Sequence, residues 1–429
     1  MPAVVVIGGQ WGDEGKGRIV DLLAKKAQVV ARYSAGNNAG HTVVNSLGEF
    51  RLHLVPAGIF YPDKVCVIGN GVVVDPAELL REVEELHSQG VSVDKLYVSD
   101  RAHVLMPYHS LIDRLDEKMR GAAAIGTTGK GVGPAFTDKV ARLGIRMADL
   151  IDPEALHQRL ALVLPYKNAV LQQLYGSEPL PLEEVCTTYA EYGRRLAPLV
   201  TDTAAMAQAA LARGDTVLLE GAQGTLLDLD AGTYEYVTSA VPSSMAAGAA
   251  IGIGIGPTQI NSVLGIYKAY TTRVGNGPMP TELKAEIGDL LRQRGMEYGA
   301  TTGRARRCGW FDAVAARHTA RLNGLSAAVL TRLDVLDHFP TIRICTAYRL
   351  DGTNILTFPA SASSLARCQP LYDDVAGWQE DTSCVRRFVD LPLQAQAYVH
   401  HIETLLGCPI HIVSVGPERD QAIVVKSPL

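Results

Sequence analysis

The sequence predicts an α/β fold in which a largely parallel central sheet is flanked by helices. Short apolar runs rich in β-branched residues recur along the chain, and several are separated by segments with helical spacing of apolar residues. These runs occupy residues 3–7, 65–68, 96–99, 216–219, 263–267, 327–331 and 411–415. The first run leads directly into GGQWGDEGKGRIVD at residues 8–21, which is typical of a phosphate-binding loop between a strand and a helix.

Composition indicates a globular protein without a basic surface. The 429 residues are 47% hydrophobic and carry a formal net charge of -5, which argues against general affinity for nucleic acid. The seven cysteines are scattered and never spaced CxxC, which favours a reducing cytosol and disfavours a zinc site. Because the N-terminus lacks a basic segment followed by a long apolar run, we expect neither a signal peptide nor a membrane span.

One helix has a clear start signal, and one long segment has a helical pattern. Asp75 is the expected N-cap, with Pro76 at the first helical position and Glu78 three residues after the cap. Residues 147–212 are rich in Leu, Ala and Gln with helical spacing, so they predict a helical insertion. Since glycine motifs extend from residue 8 to residue 416, we predict one catalytic unit over residues 1–429. Its core covers about 1–146 and 213–345, and its C-terminal part covers about 346–429.

The segment at residues 8–21 departs from the ordinary Walker loop at two positions. Gln10 replaces the first glycine of that pattern, and Gly17 follows Lys16 where a magnesium-binding Ser or Thr is usual. Backbone N–H groups, the helix N-terminus and the Lys16 ammonium can still hold phosphate oxygens. A bridging metal ion then needs another oxygen ligand, and Asp13 lies within the loop. A glycine-rich turn without a ligand is the alternative, which the acidic pair Asp13 and Glu14 disfavours.

Two more glycine-rich segments contain groups that can bind phosphate. GNNAGHT at residues 36–42 places His41 beside glycines, where the imidazole can donate a hydrogen bond to a phosphoryl oxygen. A histidine beside a turn is also often purely structural. IGTTGKGVGPAF at residues 125–136 combines hydroxyls, glycines and Lys130, and Arg142 follows closely. This segment predicts a second phosphate site, with a mobile surface loop as the alternative.

Polar side chains also follow two later strands. In EGAQGTLLDLD, Glu220 and Gln223 are expected at the carboxyl end of a strand, where open α/β sheets bind ligands, although a helix-capping turn is the alternative. Gln223 offers a donor and an acceptor to a purine edge. In TRLD at residues 331–334, Asp334 can accept hydrogen bonds from the N1 and amino donors that guanine has and adenine lacks. Arg332 can lie along the base, so this pattern favours GTP over ATP.

An arginine-rich segment, ATTGRARRCGW, occupies residues 300–310. Arg304, Arg306 and Arg307 fall within four residues and suit bidentate binding of a carboxylate or a phosphate. A solvated run of charge is the alternative. The small residues on either side favour a binding loop.

Taken in order, WGDEGKG, NAGHT, GTTGKGVGPAF, EGAQGTLLD, TTGRARR and TRLD closely resemble the adenylosuccinate synthetase family. The resemblance extends from the first strand to SVGPERD at residues 414–420, and it implies an atypical P-loop GTP-binding fold with a helical insertion. Members of the family use GTP to phosphorylate the 6-oxygen of IMP, after which the aspartate amino group displaces phosphate to give adenylosuccinate. The resemblance therefore implies a cytoplasmic, GTP-dependent carbon–nitrogen ligase of AMP biosynthesis.

The resemblance also implies roles for individual residues. Asp13 is implied to be the base that takes the N1 proton of IMP, and His41 the acid that stabilises the transferred phosphoryl group. Lys16 and Gln223 complete the implied catalytic set. One Mg²⁺ ion per subunit is implied, with Asp13 and the Gly40 carbonyl as ligands. A homodimer is implied as well, in which Arg142 reaches the neighbouring subunit's site, with no nucleic-acid or membrane partner.

The implied binding residues form three sets. For GTP they are Gly12, Asp13, Glu14, Gly15, Lys16, Gly17, Gly40, His41, Thr42, Arg306, Arg332, Leu333, Asp334, Ser414, Val415 and Gly416. For IMP they are Asp13, Lys16, Asn38, Ala39, Gly40, His41, Thr128, Arg142, Gln223, Thr238 and Arg304. For L-aspartate they are Ala300, Thr301, Thr302, Gly303, Arg304 and Arg306.

Several positions depart from the usual family pattern and leave alternatives open. Arg332 replaces a usual Lys, Glu235 replaces a usual Pro, and the stretch after Ser239 is longer than usual. Because residues 235–249 border the expected nucleotide pocket, a diverged ligase for another purine nucleotide or another amine is one alternative. A GTP-binding switch protein is a second, although a switch needs no second phosphate loop. A dinucleotide dehydrogenase is disfavoured because no GxGxxG follows a strand and opens a helix.

Overall fold

The computed structural model describes residues 3–45, 47–299 and 303–429. The helices within these ranges are α1 Lys16–Ala24, α2 Pro76–Ser88, α3 Pro107–Arg120, α4 Val132–Ala141, α5 Met147–Leu150, α6 Pro153–Tyr175, α7 Leu182–Leu196, α8 Thr203–Ala212, α9 Ala246–Ile253, α10 Glu286–Arg294, α11 Ala313–Asn323, α12 Ala362–Arg367 and α13 Leu393–Leu406. The strands are β1 Ala3–Gly8, β2 Val29–Arg32, β3 His41–Asn45, β4 Gly48–Leu52, β5 Val65–Ile68, β6 Val73–Val74, β7 Leu96–Ser99, β8 His103–Val104, β9 Val200–Thr201, β10 Val217–Gly224, β11 Ile260–Lys268, β12 Thr271–Arg273, β13 Arg307–Gly309, β14 Phe311–Asp312, β15 Ala327–Thr331, β16 Thr341–Leu350, β17 Thr353–Ile355, β18 Gln369–Ala376, β19 Ile410–Ser414 and β20 Ala422–Val424.

A ten-stranded sheet runs through the centre of the molecule. Its strand order is β20-β19-β15-β11-β1-β10-β2-β5-β7-β9. Every neighbouring pair is parallel except β19 and β20, which are antiparallel. The predicted α/β class with a largely parallel sheet is therefore confirmed.

The central strand β1 is buried on both faces of the sheet. Val4 and Val6 pack into the core that also contains apolar residues of α1. Val5 and Ile7 point to the opposite face, into the core that contains apolar residues of α9. Helices cover both faces, so the strand is apolar at successive positions instead of alternating between apolar and polar residues.

All seven predicted strands are present, as β1, β5, β7, β10, β11, β15 and β19. The predicted end of β10 is wrong, because the strand continues from Val217 to Gly224. Glu220 and Gln223 therefore lie within β10 and not beyond it. The polar and glycine residues at positions 220–224 are typical of a loop, which is why the sequence indicated an earlier end. In the structure Gly224 pairs with Gly8, so the parallel contact with β1 continues after a register shift.

Two segments contain structure that the sequence did not predict. Residues 147–212 are mainly helical, but they also contain β9, which pairs with β7 at the edge of the central sheet. Residues 311–376 contribute a separate sheet in which β16 pairs with β14, β17 and β18. Its strands are short or half exposed, so they lack the continuous apolar runs that identified the central strands. No helix in the described ranges is long and apolar enough to cross a membrane.

Helix α2 begins as the sequence predicts, and its cap also holds a neighbouring loop. Asp75 accepts a hydrogen bond from the backbone N–H of Glu78 at 3.2 Å, which confirms it as the N-cap. The other carboxylate oxygen of Asp75 accepts a hydrogen bond from Nδ2 of Asn37 at 2.7 Å. The start of α2 thereby anchors the GNNAGHT segment.

The double role of Asp75 predicts an unusually large loss of stability on its removal. Asp75→Ala is expected to lower the free energy of unfolding by about 2–3 kcal/mol, because both the cap and the Asn37 contact are lost. Asp152→Ala removes an exposed N-cap whose carboxylate accepts hydrogen bonds from backbone N–H groups at the start of α6. This change should lower the free energy of unfolding by about 1 kcal/mol. Urea denaturation followed by circular dichroism compares the two variants. Equal losses would show that the Asn37 contact contributes nothing.

Candidate active site

A pocket lies at the carboxyl edge of the central sheet, where the loops after β1, β2, β10, β15 and β19 meet. Its cavity of about 450 Å³ has the size of a small-molecule site. The predicted site residues on its wall are Gly12, Asp13, Gly15, Lys16, Gly17, Asn38, Ala39, Gly40, His41, Thr42, Thr128, Gln223, Thr238, Arg306, Arg332 and Ser414. The fold thus brings together motifs that are far apart in the sequence.

The remaining predicted residues lie outside the wall. Glu14, Leu333, Asp334, Val415 and Gly416 are chain neighbours of wall residues. Arg142 is exposed at the C-terminal end of α4. Gly303 and Arg304 are exposed, and Nη1 of Arg304 lies 3.7 Å from the position that a Cβ on Gly126 would take. Ala300, Thr301 and Thr302 lie outside the described residues.

The glycine-rich loop after β1 is organised by a buried carboxylate. Glu14 is 0% exposed, and its Oε1 accepts hydrogen bonds from the backbone N–H groups of Gln10 at 3.0 Å and Gly12 at 2.9 Å. Its Oε2 forms an ion pair with Nζ of Lys16 at 2.7 Å. Asp13 has a backbone φ of 60°, which is uncommon for a residue with a side chain. Its neighbour Glu14 points into the protein, whereas Asp13 stands on the pocket wall.

The structure explains both departures from the Walker pattern. Nε2 of Gln10 donates to the Tyr270 carbonyl at 3.0 Å, and its Oε1 accepts from the Lys268 N–H at 2.9 Å, so the side chain fastens the loop to β11. At position 17, a Cβ would lie 2.8 Å from Cβ of His41. A Ser or Thr there would collide with the histidine, which is why the usual hydroxyl is missing.

His41 is oriented by a carboxylate within the central sheet. Its Nδ1 hydrogen bonds to Oε1 of Glu220, and Oε2 of Glu220 accepts from the Ala57 N–H at 2.9 Å. Burial lowers the pKa of His41, and the nearby Glu220 only partly opposes this shift. Burial opposes ionisation of Glu220, but its contact with His41 and the charge of Arg32 outweigh burial and lower the pKa of this carboxyl. An ionised Glu220 therefore accepts from Nδ1–H, which leaves Nε2 for a ligand.

Buried polar atoms of the pocket have no hydrogen-bond partner among the described residues. They include Oδ1 of Asn38, Nε2 of His41 and Nε2 of Gln223. Buried polar groups are normally hydrogen bonded, so these atoms indicate contacts with a polar ligand. They lie on three different segments that meet at one cavity.

An ionic chain joins Asp13 to the interior of the protein. Nε of Arg306 lies 2.8 Å from Oδ2 of Asp13, and Nη1 of Arg306 lies 2.7 Å from Oε2 of Glu297. Nζ of Lys268 lies 2.8 Å from both Glu297 oxygens, and the Tyr270 hydroxyl also donates to Glu297. The arginine-rich segment thus contacts the phosphate loop directly.

The second predicted phosphate loop is held by two carboxylates of α3. Glu117 accepts hydrogen bonds from the backbone N–H groups of residues 125, 126 and 127 at 2.7–3.1 Å. Asp113 accepts from the Thr127 hydroxyl at 2.9 Å and from the Gly131 N–H at 2.8 Å. This loop is therefore fixed to a helix, and it places Thr128 on the pocket wall.

The residues predicted to bind guanine lie on the pocket wall or next to wall residues. Arg18, which the sequence did not single out, donates to Oγ of Ser414 and to the carbonyl of Gly416. Oδ1 of Asp334 is buried without a partner within the described ranges. Burial raises the pKa of Asp334 to about 6, although Arg332 opposes the shift. A buried carboxylate is thus available beside the arginine that was predicted to contact a base.

Sequence reasoning also missed Arg273 and Trp11. Both line the pocket, and the Arg273 guanidinium lies 5.4 Å from the centre of the Trp11 ring. Arg273 donates to the Thr233 hydroxyl at 3.0 Å and to the Tyr236 carbonyl at 3.1 Å. Burial, with a smaller effect of Arg307, lowers the pKa of Arg273 to about 9. Its position directly before the VGNG segment was the available signal.

The described residues contain no group of three His, Cys, Asp or Glu arranged to hold a metal ion.

The loops converge on one cavity with oxygen and nitrogen groups that suit phosphates at two places and a basic edge that suits a carboxylate. Such a cavity suits a nucleotide-dependent ligase, in which a phosphoryl transfer activates one substrate for attack by another. A family model described as adenylosuccinate synthetase matches residues 5–423. The chain belongs to the adenylosuccinate synthetase family.

Individual relatives agree with this assignment. Adenylosuccinate synthetase from Heliobacterium modesticaldum is 53% identical over 423 residues, covering 99% of each chain. The protein of that name from Caldanaerobacter subterraneus subsp. tengcongensis is 52% identical over 429 residues, covering 100% of each. Fully ligated adenylosuccinate synthetase from Plasmodium falciparum superposes with a TM-score of 0.93 at 35% identity, covering 99% of this chain and 100% of that one. The chain is accordingly a GTP-dependent ligase that joins IMP and L-aspartate in AMP synthesis.

A more distant structure shares only the fold. Succinoaminodeoxyadenylate synthetase of cyanophage S-2L, bound to dGMP and dATP, superposes with a TM-score of 0.61 at 22% identity. The match covers 99% of this chain and 96% of that one.

Proposed function

We propose that Asp13 and His41 carry out the phosphoryl transfer from GTP to the 6-oxygen of IMP. The observation that carries this proposal is the meeting of both side chains on one cavity from two different loops. The Asp13 carboxylate takes the N1 proton of IMP, which increases the electron density on the 6-oxygen. That oxygen bonds to the γ-phosphorus while the bond to the β-phosphate bridging oxygen breaks and GDP leaves.

The second step joins the amine. The aspartate amino group attacks C6, phosphate leaves with the 6-oxygen, and the nitrogen loses a proton to give adenylosuccinate. Nε2 of His41 and the Lys16 ammonium are placed to stabilise charge on the phosphoryl oxygens. The arriving phosphates favour protonation of a histidine whose pKa burial has lowered. Gln223 completes the catalytic set by binding the purine edge through its amide.

Mg²⁺ fits the oxygen groups beside the phosphate loop. The Asp13 carboxylate and the Gly40 segment both line the cavity, and oxygen ligands are those that Mg²⁺ prefers. Because the described residues contain no three-member cluster of acidic or histidine ligands, the other ligands would be substrate oxygens and water. When bound, the ion neutralises charge on the phosphates. Asp13 and Gly40 are the residues proposed to hold it, with one ion per subunit.

The proposed substrate sites follow the positions of the wall residues. IMP contacts Asn38, Thr128 and Thr238, and aspartate meets the segment from Ala300 to Arg306. The guanine of GTP meets Arg332, Asp334 and Ser414. Glu235 is exposed and does not line the pocket, although residues 236–239 do, which argues against a direct effect of this one departure on the choice of nucleotide.

The homodimer and the cytoplasmic location are also proposals. Arg142 is exposed and does not line the cavity of its own chain, which supports a role in the site of a second subunit. Its carbonyl accepts from Arg159 of α6, and the same helix carries Leu162 and Tyr166, which are 73% and 56% exposed. Exposed apolar side chains on the helix that contacts Arg142 suit a subunit contact. The seven cysteines are all free, which supports the reducing cytosol.

Loss of the Asp13 carboxylate is expected to abolish the ligation. With GTP, Mg²⁺, IMP and aspartate, the wild-type protein should form adenylosuccinate, and Asp13→Asn should lower the rate by at least about a hundredfold. The matched control Asp63→Asn removes an exposed carboxylate and should keep the wild-type rate. Mass spectrometry of the products, with each substrate omitted in turn, decides the result. GTP hydrolysis without adenylosuccinate would contradict the proposed reaction.

GTP binding is expected to weaken in acid because Asp334 must be ionised to accept from guanine. The pKa of Asp334 is raised to about 6, so the accepting form is lost as pH falls through that value. From about pH 7.5 to about pH 5.5, affinity should fall about fourfold from this group. Calorimetry on the wild type and on Asp334→Asn isolates the effect, since the nucleotide phosphates titrate equally in both. Identical pH dependence in the two proteins would exclude Asp334.

Mixing two inactive variants tests the shared site. Arg142→Ala and Asp13→Ala each lack one group, but a mixed dimer contains one site with both groups intact. Random exchange in an equal mixture should restore about a quarter of the wild-type rate. Each variant incubated alone is the control. No recovery, despite exchange shown by native mass spectrometry of differently tagged subunits, would mean that Arg142 acts within its own subunit or not at all.

A further inference from the structure

Glu297 is a fully buried acidic residue at the base of the arginine-rich segment. It follows α10 and is 0% exposed. Its carboxylate accepts from Nη1 of Arg306 at 2.7 Å, from Nζ of Lys268 at 2.8 Å on each oxygen, and from the Tyr270 hydroxyl. The proposed reaction assigns Glu297 no role. Its contacts nevertheless connect the interior of the protein to the pocket wall.

The backbone fixes Glu297 opposite Arg306. The N–H of Arg306 donates to the carbonyl of Glu297 at 2.9 Å, and the next pair along the stem, Tyr298 and Ala305, forms an antiparallel bridge. The N–H of Gly299 donates to the Arg304 carbonyl at 2.8 Å. Residues 297–299 and 304–306 are thus the two sides of a short stem. Glu297 and Arg306 lie where this stem joins the body of the protein.

The Arg306 guanidinium is shared between an interior carboxylate and a pocket carboxylate. Nη1 contacts Glu297, whereas Nε contacts Asp13 on the pocket wall. Because the guanidinium is planar and its donors have fixed directions, the Nη1 contact determines where the Nε edge points. Glu297 thus holds the inner side of the guanidinium, and the Nε side faces the pocket wall beside Asp13.

Charge balance favours this division of contacts. Lys268 and Arg306 are buried cations, and Glu297 lies between them. Burial opposes ionisation of Glu297, yet the charges of Lys268 and Arg306 hold its pKa at about 2. The carboxylate therefore remains ionised throughout the working range of the enzyme. Without it, the two cations would repel each other, and Asp13 would be the remaining acidic partner of Arg306.

We propose that Glu297 is a positioning residue that orients Arg306 toward the carboxylate of the substrate aspartate. This inference rests on the proposed aspartate site at residues 300–306. Glu297 contacts no substrate itself, so its effect passes through Arg306. Its replacement should weaken aspartate binding specifically, with much smaller effects on GTP and IMP.

The test measures initial rates of adenylosuccinate formation with aspartate varied and GTP, IMP and Mg²⁺ in excess. Glu297→Gln should raise the KM for aspartate about tenfold, as expected for loss of one charged hydrogen bond. The KM values for GTP and IMP should change by less than about twofold. Tyr270→Phe is the matched control, because it removes another hydrogen bond to the same carboxylate without changing any charge. Its KM for aspartate should also stay within about twofold.

A double-mutant comparison separates positioning from a general structural effect. In an Arg306→Gln background, Glu297→Gln should add less than about twofold to the KM for aspartate, because the group it orients is already missing. Effects that multiply would overturn the positioning role. So would an unchanged KM for aspartate in a folded Glu297→Gln protein.

A second variant covers the case in which Glu297→Gln does not fold. If Glu297→Gln lacks the near-ultraviolet circular dichroism of the folded protein, Glu297→Asp replaces it. That variant keeps the charge beside Lys268 but shortens the reach to Arg306, so an unchanged KM for aspartate would again overturn the positioning role.

Two other results show which proposal fails. A wild-type protein that forms no adenylosuccinate would overturn the proposed function. An active enzyme whose aspartate KM is unaffected by Arg306→Gln would overturn both the aspartate role of Arg306 and the inference drawn from it.

Discussion

Each of three cationic or basic side chains on the pocket wall has a fully buried carboxylate behind it, and the site depends on this pairing. The pairs are Lys16 with Glu14, His41 with Glu220, and Arg306 with Glu297. A buried carboxylate is unfavourable unless a cation and hydrogen bonds compensate for lost water. Each pair therefore restricts the direction in which its nitrogen atoms can point. The donors are arranged before a substrate arrives, which is the condition for efficient electrostatic stabilisation.

The parallel sheet determines where these pairs can form. Glu220 belongs to β10, whose neighbours are β1 and β2, and Glu14 lies in the loop directly after β1. Because the strands are parallel, their carboxyl ends lie at the same edge, and the loops meet there. Arg306 reaches this edge from a segment outside the central sheet, so its position depends on Glu297 and Asp13. The pocket thus combines two pairs fixed by the sheet with one fixed by a loop stem.

Local sequence signals predicted the strands, the glycine-rich loops and the Asp75 cap. Each of these depends on residues within a few positions of one another, and the apolar runs of a sheet buried on both faces are easy to identify. The inward turn of Glu14 was not predictable in this way, because Glu14 and Asp13 are chemically alike and adjacent. Gln10 fastens its loop to residues some 260 positions away, and only the folded chain brings them together.

Glu297 and Arg273 carried even less signal. Both are polar residues in unremarkable sequence, and their importance comes from burial beside the cavity. The mixed sheet around β16 was missed for the opposite reason, since its half-exposed strands mix polar and apolar residues. The motifs therefore identified the segments that line the pocket and that are proposed to bind phosphates. The groups that hold those parts in place emerged only from contacts between distant segments.

The closeness of Gly17 to His41 constrains how this phosphate loop can change over evolution. A Cβ at position 17 would stand 2.8 Å from Cβ and 3.5 Å from Cα of His41. A lineage that acquired a Ser or Thr at this position would have to displace the histidine strand, and with it the contact to Glu220. A hydroxyl at position 17 therefore requires a second change that moves or replaces His41, whereas replacing His41 alone creates no such collision. The route from this loop to its Walker counterparts is thus ordered, because the histidine must give way before the hydroxyl arrives or together with it.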